Sequence, residues 1–247
     1  MQNDPIHIDL NADLGEGMPH DEVLMPYLSS CSIACGGHYG NDSSMCDAVR
    51  LAKKHNVKVG AHPSFPDANN FGRKIMTMTK AALTESVYAQ ITSFFSVCAS
   101  EEIQANHIKL HGALYNYAAK DASTADAVVE AIIATKMRPI LYVPPNSILS
   151  EKAKNLLPIV FEAFIDRRYE LDLSLVSRTQ NKAVITNPEN AWKQLKSMVL
   201  DCEVETIAGQ IRPIEATTFC IHGDNAEALA MLRYIHKQLK THNISLR

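Results

Sequence analysis

Two rhythms of apolar and polar positions alternate along this chain, one repeating every second residue and the other at helical spacing. IHIDL (6–10) predicts an opening strand, and CSIACGG (31–37) a second one ending in glycines. SSMCDAVRLAKKHN (43–56) predicts a helix capped by Ser43 or Ser44, with Met45, Val49 and Ala52 as its apolar stripe. VKVGA (57–61) then closes a βαβ unit. After the loop HPSFPDANNFGRK (62–74), Val87, Ile91, Phe94, Phe95 and Cys98 fall at helical spacing on a long helix over 80–100. The alternation continues with strands at HIKL (107–110), PILYV (139–143), IVFEAF (159–164) and EATTFCI (215–221). Helices are predicted at STADAVVEAIIATK (123–136), NSILSEKAKNLL (146–157), NPENAWKQLKSMVL (187–200) and NAEALAMLRYIHKQLKTH (225–242). Asn187 is the expected cap of the third of these, with Pro188 at its first position. Residues 167–186 carry no clean periodicity.

About seven strands alternating with helices predict an α/β protein with a parallel sheet. Periodicity alone fits an open doubly wound sheet and a closed barrel equally. The 247 residues suit one domain over 1–247, a length that α/β barrels often use as a single unit.

Composition narrows the function classes. The net charge of −3, with both signs interspersed, speaks against a nucleic-acid surface. No apolar run is long enough to span a bilayer, and MQNDPIHIDL lacks the layout of a secretory signal, so a cytoplasmic protein is expected. In that compartment Cys31, Cys35, Cys46, Cys98, Cys202 and Cys220 are expected as thiols. Cys31, Cys35 and His38 have a spacing that zinc could use, but CSIAC alternates like a strand, and small buried thiols are the expected state. The sequons at Asn41 and Asn243 carry no meaning without secretion.

Candidate chemistry gathers just after the predicted strands. These positions hold Asp9, Asn11, Asp13 and Glu16; His38 and Asn41; His62 and Asp67; Lys109, His111, Tyr115 and Asn116; Glu162, Asp166, Arg167 and Tyr169; and His222 and Asp224. In parallel α/β architectures the carboxyl ends of all strands open on one side, where ligands bind. His107, Lys109 and His111 share one face of a strand, which is an odd choice for a core. Asp9, Asn11 and Asp13 alternate in the same way, and solvent exposure or turn capping competes with a functional reading there. Of the other histidines, His7, His20, His55, His107, His236 and His242 are expected on surfaces or helix faces. There is no phosphate loop, G-x-G-x-x-G, H-E-x-x-H or G-x-S-x-G. Carboxylates with histidines and a lysine suit general acid/base chemistry at a carbonyl, or a divalent metal that activates water.

IDLNADLGE, SIACGGHYGN, VGAHPSFPD, FGRK, HIKLHGALYN, FIDRRY and CIHGDN, in this order from Ile8 to Asn225, resemble the LamB/YcsF family. The resemblance implies an irregular parallel β/α barrel of the glycoside hydrolase/deacetylase type. It implies the A component of a prokaryotic 5-oxoprolinase, which works with B- and C-like subunits. That reaction opens the lactam of 5-oxoproline to L-glutamate at the expense of ATP; a stand-alone metal-dependent deacetylase or amidohydrolase, and a non-catalytic lactam-binding or regulatory subunit, remain alternatives. Homo-oligomerisation stays open. By position, Asp13, His38, His62, Lys109 and His111 are the expected catalytic set. Asn11, Glu16, Arg73, Tyr115, Asn116, Asp166, Arg167 and His222 are the expected substrate contacts, with Arg73 or Arg167 gripping the carboxylate. By analogy with deacetylase barrels, Asp13, His62 and His111 would hold a metal. Ala12, Gly37, Tyr39, Asn41, Leu110 and Ile165 depart from the family's usual CDLGE, CGFHAGD, KPHGALYN and ADRxY, and LDLSLVSR (171–178) departs from an LVPR-like segment. The Asn41 departure removes a carboxylate beside the expected pocket.

Overall fold

Residues 4–247 are described by a computed structural model. The chain runs β1 (Ile6–Leu14), α1 (Asp21–Leu24), β2 (Ser30–Ala34), α2 (Asp42–His55), β3 (Lys58–His62) and α3 (Lys80–Ser100). It continues through β4 (Ala105–Lys109), α4 (Gly112–Ala118), α5 (Ala122–Ala134), β5 (Ile140–Val143), α6 (Ile148–Ala153) and β6 (Ile159–Phe164). It ends with α7 (Pro188–Leu200), β7 (Glu203–Glu205), β8 (Ile211–Pro213), β9 (Thr218–Cys220), α8 (Ala228–Thr241) and β10 (Ile244–Leu246). Strands β1 to β6 follow one another in parallel, and β9 pairs with both β6 and β1. That double pairing closes a seven-stranded barrel, as the resemblance implies, and rules out the open sheet. Strand β10 lies outside it, parallel to the first residues of β1 through Ile6↔Ile244.

The period-two pattern acquires its meaning from this closure. On β1, Leu10, Ala12 and Leu14 belong to the apolar core, while Asp9, Asn11 and Asp13 are the buried polar members of the same strand. Side chains of strands that are not neighbours meet across the interior: Asn11 Nδ2 donates to Glu162 Oε1 at 3.0 Å, and Ser32 Oγ lies 3.1 Å from His107 Nε2. The polar face therefore points into the barrel, not to solvent, and its members find partners there. Asp9 accepts from Ser30 Oγ at 2.8 Å and from Thr218 Oγ1 at 2.6 Å, well within the interior.

His107 corrects a sequence expectation. It is completely buried, stacked 4.1 Å from the Tyr142 ring, and not on a surface. Gly60 makes the room, since a Cβ there would sit 2.4 Å from the imidazole. Burial, with Lys109 nearby, pushes the His107 pKa down to about 3. The unfolded chain takes up this proton near pH ~6.5 and the folded chain only near 3, so the native state binds fewer protons between those values. Stability from this group is present above pH ~6.5 and is lost as pH falls towards 3. Thermal melts of His107→Gln are expected to show a shallower loss of Tm between pH 7 and 4 than the parent chain, and an identical slope would contradict the burial.

Other differences have local causes. The cap of α2 is Asn41, which accepts from Ser44 N while Ser44 Oγ accepts from Asn41 N; Ser43 and Ser44 are inside the helix. Helix α6 stops at Ala153, short of the expected end, and residues 154–157 form a turn that leads into Pro158. The thiols Cys31 and Cys35 are buried and free, and burial pushes Cys35 up to about 12. His38 lies with Glu16 rather than with them. His7 and His20 are exposed, and His236 bonds to the Tyr27 carbonyl at 2.8 Å. Among the described residues, no helix is long and apolar enough to cross a membrane.

Candidate active site

The site lies at the carboxyl ends of the barrel strands. Asp13 and Glu16 come from the end of β1, His38 from the loop after β2, and His62 from the last residue of β3. Lys109 ends β4, His111 follows it, and Glu162 belongs to β6. The expected catalytic set of Asp13, His38, His62, Lys109 and His111 is brought together and is buried throughout.

One half of the cluster is built around Glu16. Its Oε1 lies 2.9 Å from His38 Nε2, 3.1 Å from His111 Nδ1 and 3.8 Å from His62 Nε2. His62 Nε2 and His111 Nδ1 are themselves 3.0 Å apart. The far nitrogens face backbone carbonyls: His62 Nδ1 is 2.8 Å from the Lys109 oxygen, and His111 Nε2 is 2.9 Å from the Phe71 oxygen. A carbonyl only accepts, so both far nitrogens carry hydrogen. The near nitrogens and Glu16 Oε1 are then three acceptors turned on one another, which requires a shared proton or a cation. The rings of His38 and His111 stack at 3.6 Å, nearly parallel.

The other half is built around Lys109. Its Nζ lies 2.8 Å from Asp13 Oδ1, 2.9 Å from Glu162 Oε1, 3.1 Å from Asn11 Oδ1 and 2.9 Å from Cys220 Sγ. Asp13 Oδ2 is 3.5 Å from His62 Nε2 and joins the halves.

The electrostatics follow from burial set against these contacts. Burial works to raise Asp13, yet His62 and Lys109 hold it well below the usual carboxylate range. Burial opposes the charge on Lys109, but Asp13 outweighs it and keeps the amine protonated. Burial opposes His62 as well, and Asp13 again raises it. Burial lowers His111, and it pushes His38 down to about 4. Burial raises Glu162. His62 is thus the imidazole with most affinity for the proton shared in the cluster.

Asp13, Glu16, Lys109 and His111 line a cavity of about 330 Å³ that opens at the barrel mouth. Most of the expected substrate contacts line it too: Arg73, Tyr115, Asn116, Arg167 and His222. Asn11 lies beneath it on Lys109. Asp166 lies behind it, accepting from His222 Nδ1 at 2.9 Å and so fixing that ring. Tyr169 is a structural residue whose hydroxyl accepts from the Phe164 amide at 2.6 Å. Asp67 caps a turn by accepting from Asn70 N at 3.2 Å. Asn41 is exposed and spent on the α2 cap, so the departure there removes no carboxylate from the pocket.

The donor set that could hold a metal differs from the expected triad. Glu16, His38, His62 and His111 each offer an atom, all within 4.8 Å of one another, while Asp13 is taken by Lys109. Arg178 and Cys220 are site residues that sequence reasoning missed. Arg178 comes from the stretch without periodicity, which folds over the mouth through Leu175–Thr179. Cys220 was identifiable only as a thiol.

Gly37, one of the departures, has a steric explanation. A Cβ there would lie 2.3 Å from both Gln90 Oε1 and Ser64 Oγ. Gln90 is held by the Ser64 amide at 2.9 Å and the Ser64 carbonyl at 2.9 Å, so it fills the space a larger side chain would need. Gly37→Phe is expected to cost about 1–3 kcal/mol by overpacking against Gln90. Adding Gln90→Ala should recover much of the loss in denaturant melts, and no recovery would mean the strain lies elsewhere.

A closed parallel barrel with a buried acid, base and lysine cluster at its carboxyl-end mouth is the architecture of a barrel enzyme whose chemistry is set by its strand-end loops. Residues 8–247 match the sequence profile of the LamB/YcsF family. The chain belongs to that family. It is 40% identical over 245 residues to the 5-oxoprolinase A component of Clostridium beijerinckii, covering 97% of this chain and 96% of the relative. The 5-oxoprolinase A component of Haemophilus influenzae is 38% identical over 240 residues, covering 97% and 98%. The crystal structure of a lactam utilization protein from Thermus thermophilus superimposes with a TM-score of 0.91 at 36% identity, covering 98% of this chain and 99% of that one.

Proposed function

We propose that this chain is the A-type component of an ATP-dependent 5-oxoprolinase and opens the lactam of 5-oxoproline to L-glutamate. The observation that carries the reading is the convergence of Asp13, Glu16, Lys109, His111 and His222 on one cavity at the barrel mouth. The names of the relatives give the substrate class and the existence of further subunits, B- and C-like in this reading. In this reading ATP is consumed by the complex.

Lactam opening needs a nucleophilic water, a donor for the carbonyl oxygen and a proton for the departing ring nitrogen. His222 is oriented by Asp166 in the tautomer that leaves Nε2 free to accept a proton. It takes the proton of the attacking water and returns it to the ring nitrogen. The Lys109 ammonium, locked by Asp13 and Glu162, stabilises negative charge developing at the cavity floor. His111 and His62 hold the shared proton beside Glu16.

The Glu16, His38, His62 and His111 set also fits a divalent ion of the zinc type. Three imidazoles and a carboxylate converge, and His62 and His111 are oriented by backbone carbonyls as metal-ligating histidines are. When bound, such an ion supplies Lewis acidity toward the lactam carbonyl. This fit favours a second reading, a metal-dependent amide hydrolase acting alone.

Reconstitution tests both. Purified chain, alone and with B- and C-like subunits, is given 5-oxoproline with and without ATP, and glutamate release is measured beside metal content. Release that requires both ATP and the partners supports the main reading. Release from the metal-loaded chain alone supports the second. Lactam binding without turnover in every combination leaves a binding subunit and overturns both.

A further inference from the structure

Three guanidinium groups meet at one wall of the cavity, and a single carboxylate stands among them. Arg73 enters from the loop after β3, Arg167 and Arg178 from the segment over the mouth, and Asp224 from the loop after β9. Asp224 Oδ2 accepts from Arg73 Nη2 at 2.5 Å and from Arg178 Nη1 at 3.0 Å, while Oδ1 is 3.4 Å from Arg178 Nη2. One carboxylate thus ties three separate loops across the opening. Asp166, beside Arg167 in the chain, spends its oxygens on His222 and Asn225 and makes no ion pair with the three guanidinium groups.

Arg167 makes this more than a surface tie. It is only 6% exposed, lines the same cavity, and its Nε has no hydrogen-bond partner. Its one strong bond runs from Nη2 to the Val176 carbonyl at 2.6 Å. A buried guanidinium whose Nε makes no hydrogen bond, in the same cavity wall as two more that share Asp224, is a wall whose chemistry suits an oxyanion. Arg73 is further held over the Phe71 ring, 5.0 Å from its centroid, in the position where it meets Asp224.

We propose that Arg73, Arg167 and Arg178 form an oxyanion subsite of the cavity, and that Asp224 occupies it as an internal stand-in that an incoming anion displaces. The ligand chemistry is a carboxylate or phosphoryl oxyanion on the molecule that enters the cavity. This deepens the lactam reading and rests on it for the identity of the molecule, though not for the existence of the subsite. Asp224 would then set a threshold. A neutral lactam leaves the tie intact, whereas an anionic one replaces Asp224 between Arg73 and Arg178, beside the buried charge of Arg167 in the same wall. The site would therefore select against uncharged analogues.

The test is calorimetric binding to the full-length chain, comparing the parent with Asp224→Asn and Arg178→Gln. The probes are inorganic phosphate, 5-oxoproline and 2-pyrrolidinone, the last being the same lactam without its carboxylate. Asp224→Asn removes the internal competitor and is expected to tighten oxyanion binding about tenfold, while Arg178→Gln weakens it by about the same factor. A response with 5-oxoproline but not with 2-pyrrolidinone identifies the ring carboxylate as the occupant. A response with phosphate alone identifies a phosphoryl group. Unchanged or weaker oxyanion binding in Asp224→Asn, in protein that melts within a few degrees of the parent, overturns the proposal. Should Arg178→Gln fail to fold, Arg73→Gln replaces it and the sign in Asp224→Asn still decides. If the anion responses appear as expected but the reconstituted complex releases no glutamate, the subsite stands and the lactam reading fails.

Discussion

Replacing Lys109 with methionine will lower the melting temperature by about 10 °C and abolish turnover. Methionine fills much of the same volume, so the loss is electrostatic. Lys109 is 1% exposed and has Asp13, Glu162, Asn11 and Cys220 within 3.1 Å of its ammonium. Without it two carboxylates remain buried with no cation between them. Breaking a buried pair from one side costs about 3–5 kcal/mol, against a total stability of about 5–15 kcal/mol. The pH dependence gives a second, sharper signature. In the parent chain Asp13 is held low, so its contribution is present above the unfolded carboxylate range and is lost as pH falls through the folded value. In the variant Asp13 keeps His62 but loses Lys109, and Glu162, already raised by burial, loses the ammonium that opposed that rise and moves further above its unfolded value. The contribution of Glu162 is then greatest in acid and is lost as pH rises. Melts from pH 5 to 8 should slope downward in Lys109→Met, and adding Glu162→Gln should restore part of the loss. A variant that melts like the parent would mean that Asp13 and Glu162 do not depend on Lys109.

The same residue shows how much of this molecule could be read from its sequence. The strand–helix alternation is local, and it predicts all seven barrel strands at about the right places. Closure is not local. It depends on β9, three residues that pair with both β1 and β6, and no pattern within EATTFCI distinguishes that from an edge strand. The inward direction of the polar face is likewise invisible before closure. His107 and Lys109 share a face, and only a lumen lined by Ser32, Tyr142, Asn11 and Glu162 makes that face an interior. The clustering of site residues was legible because strand ends in parallel barrels share a rim. Their division into two halves was not. Glu16 sits among the three histidines while Asp13 is shared between Lys109 and His62, contacts between residues distant in the chain. Arg178 was hidden for a different reason. It sits in a segment held by isolated bridges, such as Arg167↔Val184, whose conformation is dictated by the barrel below it and not by its own periodicity.

Changing His111 to alanine will abolish glutamate release by the reconstituted complex while the fold persists, a loss of about 10²–10⁴-fold or more. His111 is the imidazole of the cluster that lines the cavity; His62 and His38 stand behind it. Its Nδ1 is 3.0 Å from His62 and 3.1 Å from Glu16, so removing it takes away the member of the proton-sharing cluster that faces the cavity. The fold should tolerate the change, because His62 retains the Lys109 carbonyl and Glu16 retains His38. What alanine does lose structurally is the bond from Nε2 to the Phe71 carbonyl, which steadies the loop carrying Arg73. His111→Gln separates the two roles. The glutamine amide can still donate to the Phe71 carbonyl, yet it offers no nitrogen at the Nδ1 position. If the proton position matters, glutamine will restore the melting temperature but not the turnover. If the loop alone matters, glutamine will restore both. Full activity in the alanine variant would remove His111 from the chemistry altogether.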